Sequence, residues 1–223
     1  MEKETILQTY IDHYKDSYEL VKNAQAGRNK SFVGLCILEA ISFLLIINPD
    51  LIYGLLKETI SEKLETTVLL GNAILQSFIW VLIAYVLIRY IQFTMYIERQ
   101  YSYLDKLEGK VQEVMGKDSI FDREGANYLR DYPIVLNLID LFYKMFCPIF
   151  FACVNTVHIN LEWRDASVVG LALVVDTIIY VVIILLIWFY FFEIHDKISK
   201  WCKEHIIGVR CISEKLHKIL KYV

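Results

Sequence analysis

The sequence predicts an all-α, polytopic membrane helical bundle: four transmembrane helices with amphipathic cytoplasmic helical extensions. Three observations predict it. The 223 residues are 56% hydrophobic and 22% charged, with mean hydropathy +0.41. The apolar residues gather in long blocks, whereas a soluble domain of this length spreads them along amphipathic elements. Only nine Gly and three Pro occur, so turns are few and long helices are expected.

A hydrocarbon core of about 30 Å needs roughly 20 helical residues at ~1.5 Å each. Four blocks suit that length: 31–47 (slightly short and extending towards 56), 68–96, 133–157 and 166–192. In lipid each must satisfy its own backbone N–H and C=O groups, so each becomes a helix. Lys and Arg fix the orientation. The N-terminal tail carries five, the 97–132 connection six and the tail after Phe192 seven. The other two connections hold only Lys57, Lys63 and Arg164. Both termini are therefore expected in the cytoplasm, in a multi-pass protein of the inner (cytoplasmic) membrane. Tyr96, Tyr101, Tyr103, Tyr132, Trp163 and Trp201 sit near the predicted boundaries, where amphipathic rings are best placed.

The predicted organisation is a cytoplasmic amphipathic helix at 1–30 and a first transmembrane hairpin at 31–96 with an outer interfacial segment. A cytoplasmic helix and loop follow at 97–132, a second transmembrane hairpin at 133–192, and an amphipathic tail helix at 193–223. The first thirty residues hold five acids and five bases and no apolar run, so the first span is expected to act as an uncleaved signal anchor. Ile6, Tyr10, Tyr14, Tyr18 and Val21 recur at helical spacing in the first tail. Ile97, Tyr101, Leu104, Leu107, Val111 and Val114 make an apolar seam that continues the second span without a break until Gly116. The last tail repeats the pattern from Ile198 to Ile219. Such faces need covering, either within the chain or by other copies, and a homo-oligomer is expected. The 97–132 and 193–223 segments are the expected contact for a cytoplasmic protein or signal. A net charge of −3 gives no reason to expect nucleic acid.

Five ionisable residues fall inside the predicted spans: Glu39, Arg89, Asp140, Lys144 and Asp176. Each is costly against lipid and should face protein or water. Glu39 and Arg89 lie at similar depth, about 10–12 Å from the cytoplasmic end of their spans, which predicts a structural ion pair. Asp140 and Lys144, four apart, can neutralise each other along one face. Asp176 has no obvious partner. Asn137, Asp140 and Lys144 share one side of the third span with Cys147 and Phe151, and Pro148 is placed to kink it. Such a face fits a pore lining and equally fits a buried inter-subunit surface.

No P-loop, GxGxxG, HExxH, GxSxG or CxxC occurs, and neither an enzyme nor a cofactor is expected. Cys202, His205, Cys211 and His217 are possible metal ligands, but on one continuous helix they cannot converge, so no metal site is expected. All five cysteines are expected to be reduced.

Residues 1 to about 115 resemble the SLATT-type membrane effectors of bacterial conflict systems. The likeness lies in an amphipathic prologue (Tyr14, Tyr18, Ala24, Arg28), two spans, and a long helix returning to the cytoplasm (Ile97-Glu-Arg-Gln-Tyr-Ser-Tyr-Leu-Asp-Lys-Leu-Glu). With its second pair of spans, the chain is also similar to small four-span membrane subunits of phage-defence systems such as the Kiwa type. The resemblance implies an oligomeric pore-forming or membrane-sensing component of an antiviral defence system, triggered from the cytoplasm. The alternative is a small oligomeric secondary transporter with Glu39 or Asp176 as its coupling carboxylate.

Overall fold

The computed structural model describes residues 2–52, 54, 72–116, 134–164 and 170–194. Among them every element is a helix: α1 (Glu2–Ile47), α2 (Asn72–Met115), α3 (Ile134–Leu141), a π-helical turn (Phe142–Phe146), α4 (Cys147–Arg164) and α5 (Leu171–Ile194). Four stretches are long and apolar enough to cross a membrane: Lys3–Ile47, Ile74–Met115, Leu138–Arg164 and Leu171–Phe192. The described residues are thus all-helical, with four helices that could span a membrane. The predicted interfacial segment beyond residue 54, the 117–132 loop and the tail from 195, with Trp201, Cys202, His205, Cys211 and His217, lie outside the described residues.

The chain divides into two compact units, Met1–Ile183 and Ile184–Val223. In the first, α1 and α2 form an antiparallel pair. Tyr14 Oη donates to Glu108 Oε1 (3.0 Å) near one end, and Gln76 Nε2 donates to Ser42 Oγ (3.1 Å) near the other. Their 46 and 44 residues correspond to roughly 65–70 Å at helical rise. A hydrocarbon core of about 30 Å would cover less than half of that length. The half of the pair that holds the start of α1 and the end of α2 carries its own packing. Val21, Ala24, Leu104, Leu107 and Val111 are buried in its seam. Gln25 Nε2 donates to Tyr101 Oη (3.1 Å), and the Lys110 ammonium lies 5.6 Å over the Tyr10 ring. The amphipathic N-terminal tail therefore packs on the extension of α2. Gly116 ends α2 with φ +98°, a left-handed conformation that glycine adopts without a Cβ penalty.

At Gly27 the Phe93 side chain from α2 fills the space of the missing side chain, and a Cβ there would lie 2.6 Å from Phe93 Cζ. Gly27→Ala should therefore destabilise the pair by roughly 1 kcal/mol or more through overpacking, despite alanine's better helix propensity. Phe93→Ala should relieve it. Detergent-to-SDS unfolding of the two single variants and the double variant measures both effects, and equal stability of Gly27→Ala and wild type would contradict the close fit.

The third apolar stretch is not one regular helix. The Cys147 N–H bonds to the Phe142 carbonyl, the i→i−5 pattern of a π turn. Pro148 explains it. In that register its absent N–H would have served the Tyr143 carbonyl. Tyr90 Oη, from α2, donates to that carbonyl instead. The predicted irregularity at Pro148 is thus a π turn sealed by a tyrosine hydroxyl.

Helix α4 then continues to Arg164, seven residues past the predicted span end at Val157. Asn155, His158 and Glu162 are buried on it rather than facing solvent. Along the first turns of α5, Tyr180 Oη meets Thr156 Oγ1 (3.0 Å), and Thr177 Oγ1 accepts from Trp163 Nε1 (3.2 Å). In the second unit, the rings of Phe189 and Phe192 pack against Trp188 at 5.4 and 4.4 Å.

Candidate functional site

Buried side chains trace one face of each inner helix. On α1 the face runs Arg28, Leu35, Glu39, Ser42. On α2 it runs Gln76, Trp80, Ile83, Leu87, Tyr90, Thr94. On α4 it runs Cys147, Phe151, Asn155, His158, Glu162. The steps of three, four or seven keep each series on one side of its helix. Read along these faces, the interior has two polar stations separated by an apolar layer.

The larger station centres on Glu162, which is 1% exposed. Its Oε1 accepts from Trp80 Nε1 (2.7 Å) and Gln76 Nε2 (2.9 Å), and faces His158 Nε2 at 3.2 Å. The fully buried His158 ring is sandwiched between Trp80 (centroids 4.8 Å, 11° between planes) and Phe43 (5.5 Å, 29°). Ser42 Oγ lies 3.2 Å from its Nδ1 and 3.0 Å from its Nε2, and the Gln76 amide nitrogen also touches Nε2. One turn along both α1 and α4, Asn155 Nδ2 donates to Glu39 Oε1 (2.6 Å). Asp176 on α5 is fully buried. Among the described residues Glu39 Oε2, Asn155 Oδ1 and Glu162 Oε2 have no hydrogen-bond partner, and Asp176 lies beside Ser77 and Glu162. Unpaired buried acceptors of this kind are costly.

The apolar layer follows. Phe32 packs edge-to-face on Phe151 (6.1 Å, 64°), and Phe151 and Leu35 are fully buried. Beyond it lies the second station. The Arg28 guanidinium sits 4.1 Å over the Tyr143 ring, and Phe32 closes against the same ring at 5.8 Å. Lys144 bridges Glu98 on α2 and Asp140 on α3, the latter at 2.6 Å. Asp140 and Glu98 are half-exposed.

The residues singled out from the sequence thus separate. Asp140 and Lys144 come together as a triad with Glu98. Asp176 and Glu39 fall in the larger station. The expected Glu39–Arg89 pair is not formed. Arg89 is exposed, donates to Gln92 Oε1 (3.0 Å) and stacks over Phe93 (4.8 Å). The register explains it. Gly34 lies opposite Val86 and Ser42 opposite Gln76, which sets Glu39 level with residue 80 or so, about nine residues (~14 Å) from Arg89. The side chain of Asn137 lies outside the described residues. Gln76, Asn155, His158 and Glu162 are the buried polar residues of the larger station that the sequence does not single out. The chain matches no known protein family, no curated protein and no solved structure.

Proposed function

We propose that the protein is a non-enzymatic, oligomeric membrane protein of the channel or membrane-sensing effector class, embedded in the cytoplasmic membrane of a bacterium and serving antiviral defence. One observation carries the ion-handling part. Two charged stations, Glu39–His158–Glu162–Asp176 and Glu98–Asp140–Lys144, are separated by a Phe32–Leu35–Phe151 layer along the same helices. Apolar constrictions between polar vestibules close a path by excluding water. The α1–α2 pair runs unbroken from this interior into the outlying helical hairpin. A cytoplasmic partner or signal that shifts the hairpin therefore moves the constriction directly, biasing a two-state bundle. Exposed apolar side chains such as Ile37, Phe78 and Tyr85 are covered by lipid or by further copies. The defence role rests on the SLATT-type layout alone.

A second reading, a small secondary transporter, draws on the placement of the larger station inside a single chain, with Glu39 or Asp176 as the coupling carboxylate. Ion flux in proteoliposomes separates the two: conductance without substrate coupling supports the channel, and coupled uptake the transporter. The Asp140→Ala/Lys144→Ala variant should change flux, or toxicity on expression, while membrane insertion is retained. Unaltered flux from a properly assembled variant counts against the path.

A further inference from the structure

We infer that His158 is a proton-binding site, and that its protonation exchanges the Gln76 amide for the Glu162 carboxylate as the partner of Nε2. The assignment deepens the ion-path reading and rests on it, naming the proton as the ion handled at the larger station.

The inference comes from a count of hydrogens. The Gln76 amide nitrogen lies 2.9 Å from Glu162 Oε1, 3.1 Å from Ser42 Oγ, and in contact with His158 Nε2. Its orientation is fixed, because turning the amide would set its oxygen against the Glu162 oxygen. An amide has two hydrogens, and three acceptors face this one. With a neutral imidazole, Nδ1–H donates to Ser42 Oγ (3.2 Å) and Nε2 accepts from Gln76. With an imidazolium, Nε2–H donates to Glu162 Oε1 at 3.2 Å, and the amide keeps Glu162 and Ser42. The two ring N–H groups, both amide hydrogens and the Trp80 indole then each have an acceptor, but the close Gln76–His158 contact becomes donor against donor and must open.

The surroundings suit both states. The Trp80 face stacked on the ring at 4.8 Å favours a cation. The groups around His158 that carry charge or titrate are Glu162 on its own helix, Glu39 on α1, Asp176 and Tyr180 on α5, and none on the facing turn of α2, which presents Gln76 and Trp80. The chemistry favours a proton over a metal cation, since among the described residues no three His, Cys, Asp or Glu side chains are grouped to hold one. Because Gln76 belongs to α2 and His158 to α4, opening their contact moves one helix against the other. The proton comes from water and returns to it, with no other bond changed.

Trp80 reports on the site. In a Trp163→Phe/Trp188→Phe/Trp201→Phe protein in nanodiscs, Trp80 is the one remaining indole, and an imidazolium stacked on it quenches its emission. The expected result is a reversible change with pH that is lost in His158→Gln. A flat profile, or one that persists in His158→Gln, overturns the assignment. Should His158→Gln fail to fold, Glu162→Gln serves: loss or displacement of the change supports the exchange, and an unaltered profile overturns it. Proteoliposome flux distinguishes the two levels. A His158-dependent Trp80 change without flux keeps the proton site and rejects the conducting path. Flux of K⁺ or Na⁺ that is indifferent to His158→Gln and to pH keeps the path and rejects the proton site.

Discussion

Glu162→Ala should be strongly destabilising, by roughly 2–5 kcal/mol. The carboxylate oxygen Oε1 is the acceptor for the Trp80 indole and the Gln76 amide and the partner of the His158 ring. Interhelical hydrogen bonds in membrane proteins are worth about 0.6–1.7 kcal/mol each, so losing two of them, from Gln76 and Trp80, together with the His158 contact within α4 sets the range. Water does not soften the loss, because Trp80 and His158 are fully buried. An orphaned donor in an apolar interior costs more than its bond was worth. Glu162→Gln, which keeps an acceptor oxygen in place, should lose much less. Reversible unfolding from dodecyl maltoside into SDS gives both values. A Glu162→Ala loss below about 0.5 kcal/mol, the size of an ordinary surface change, would mean that the acid does not organise the interior.

Opening the aromatic layer should have the largest effect on permeability. Phe32→Ala or Phe151→Ala should raise basal ion flux through reconstituted protein by at least about tenfold, a barrier drop of roughly 1.4 kcal/mol. The rings fill the space between the two polar stations, and removing one lets water join them. Phe151 is fully buried, so its truncation also weakens packing by about 3–5 kcal/mol. Phe32 is partly exposed and supplies the milder variant. Phe151→Leu, which keeps the layer apolar and filled, should stay close to wild type. If both alanine variants assemble and remain as tight as the parent, the layer is packing and not a seal.

The helical class and the four apolar stretches were legible because lipid leaves the backbone no other solution, and length arithmetic then places them. The seam from Ile97 to Val111 was legible for a similar reason, since period 3.6 marks a face whatever covers it. The Asp140–Lys144 contact follows from spacing along one helix. What failed was what depends on two helices at once. Equal depth predicted a Glu39–Arg89 pair, but the real register comes from the Gly27–Phe93 approach and the Ser42–Gln76 bond, which no single-helix count contains. The larger station was missed for another reason. Asn155, His158, Asn160 and Glu162 lower the local hydropathy, so the span was drawn to end at Val157. The signal was present as a stripe: Asn155, His158 and Glu162 step by three and four, as do Glu39 with Ser42 and Gln76 with Trp80. Polar residues repeating on one face within an apolar run mark an interior, whereas scattered ones mark an end.

The π turn at Phe142–Phe146 also governs how this chain can change over generations. It holds one more residue than an α-helical turn would over the same rise. Gaining or losing a residue there swings everything downstream by about 100°. Asn155, His158 and Glu162 would leave the interior together while Asp140 kept its place. Single-residue insertions or deletions are therefore far harder to tolerate between Leu141 and Pro148 than in any connecting segment, and descendants of this protein should vary there by substitution and hardly at all in length.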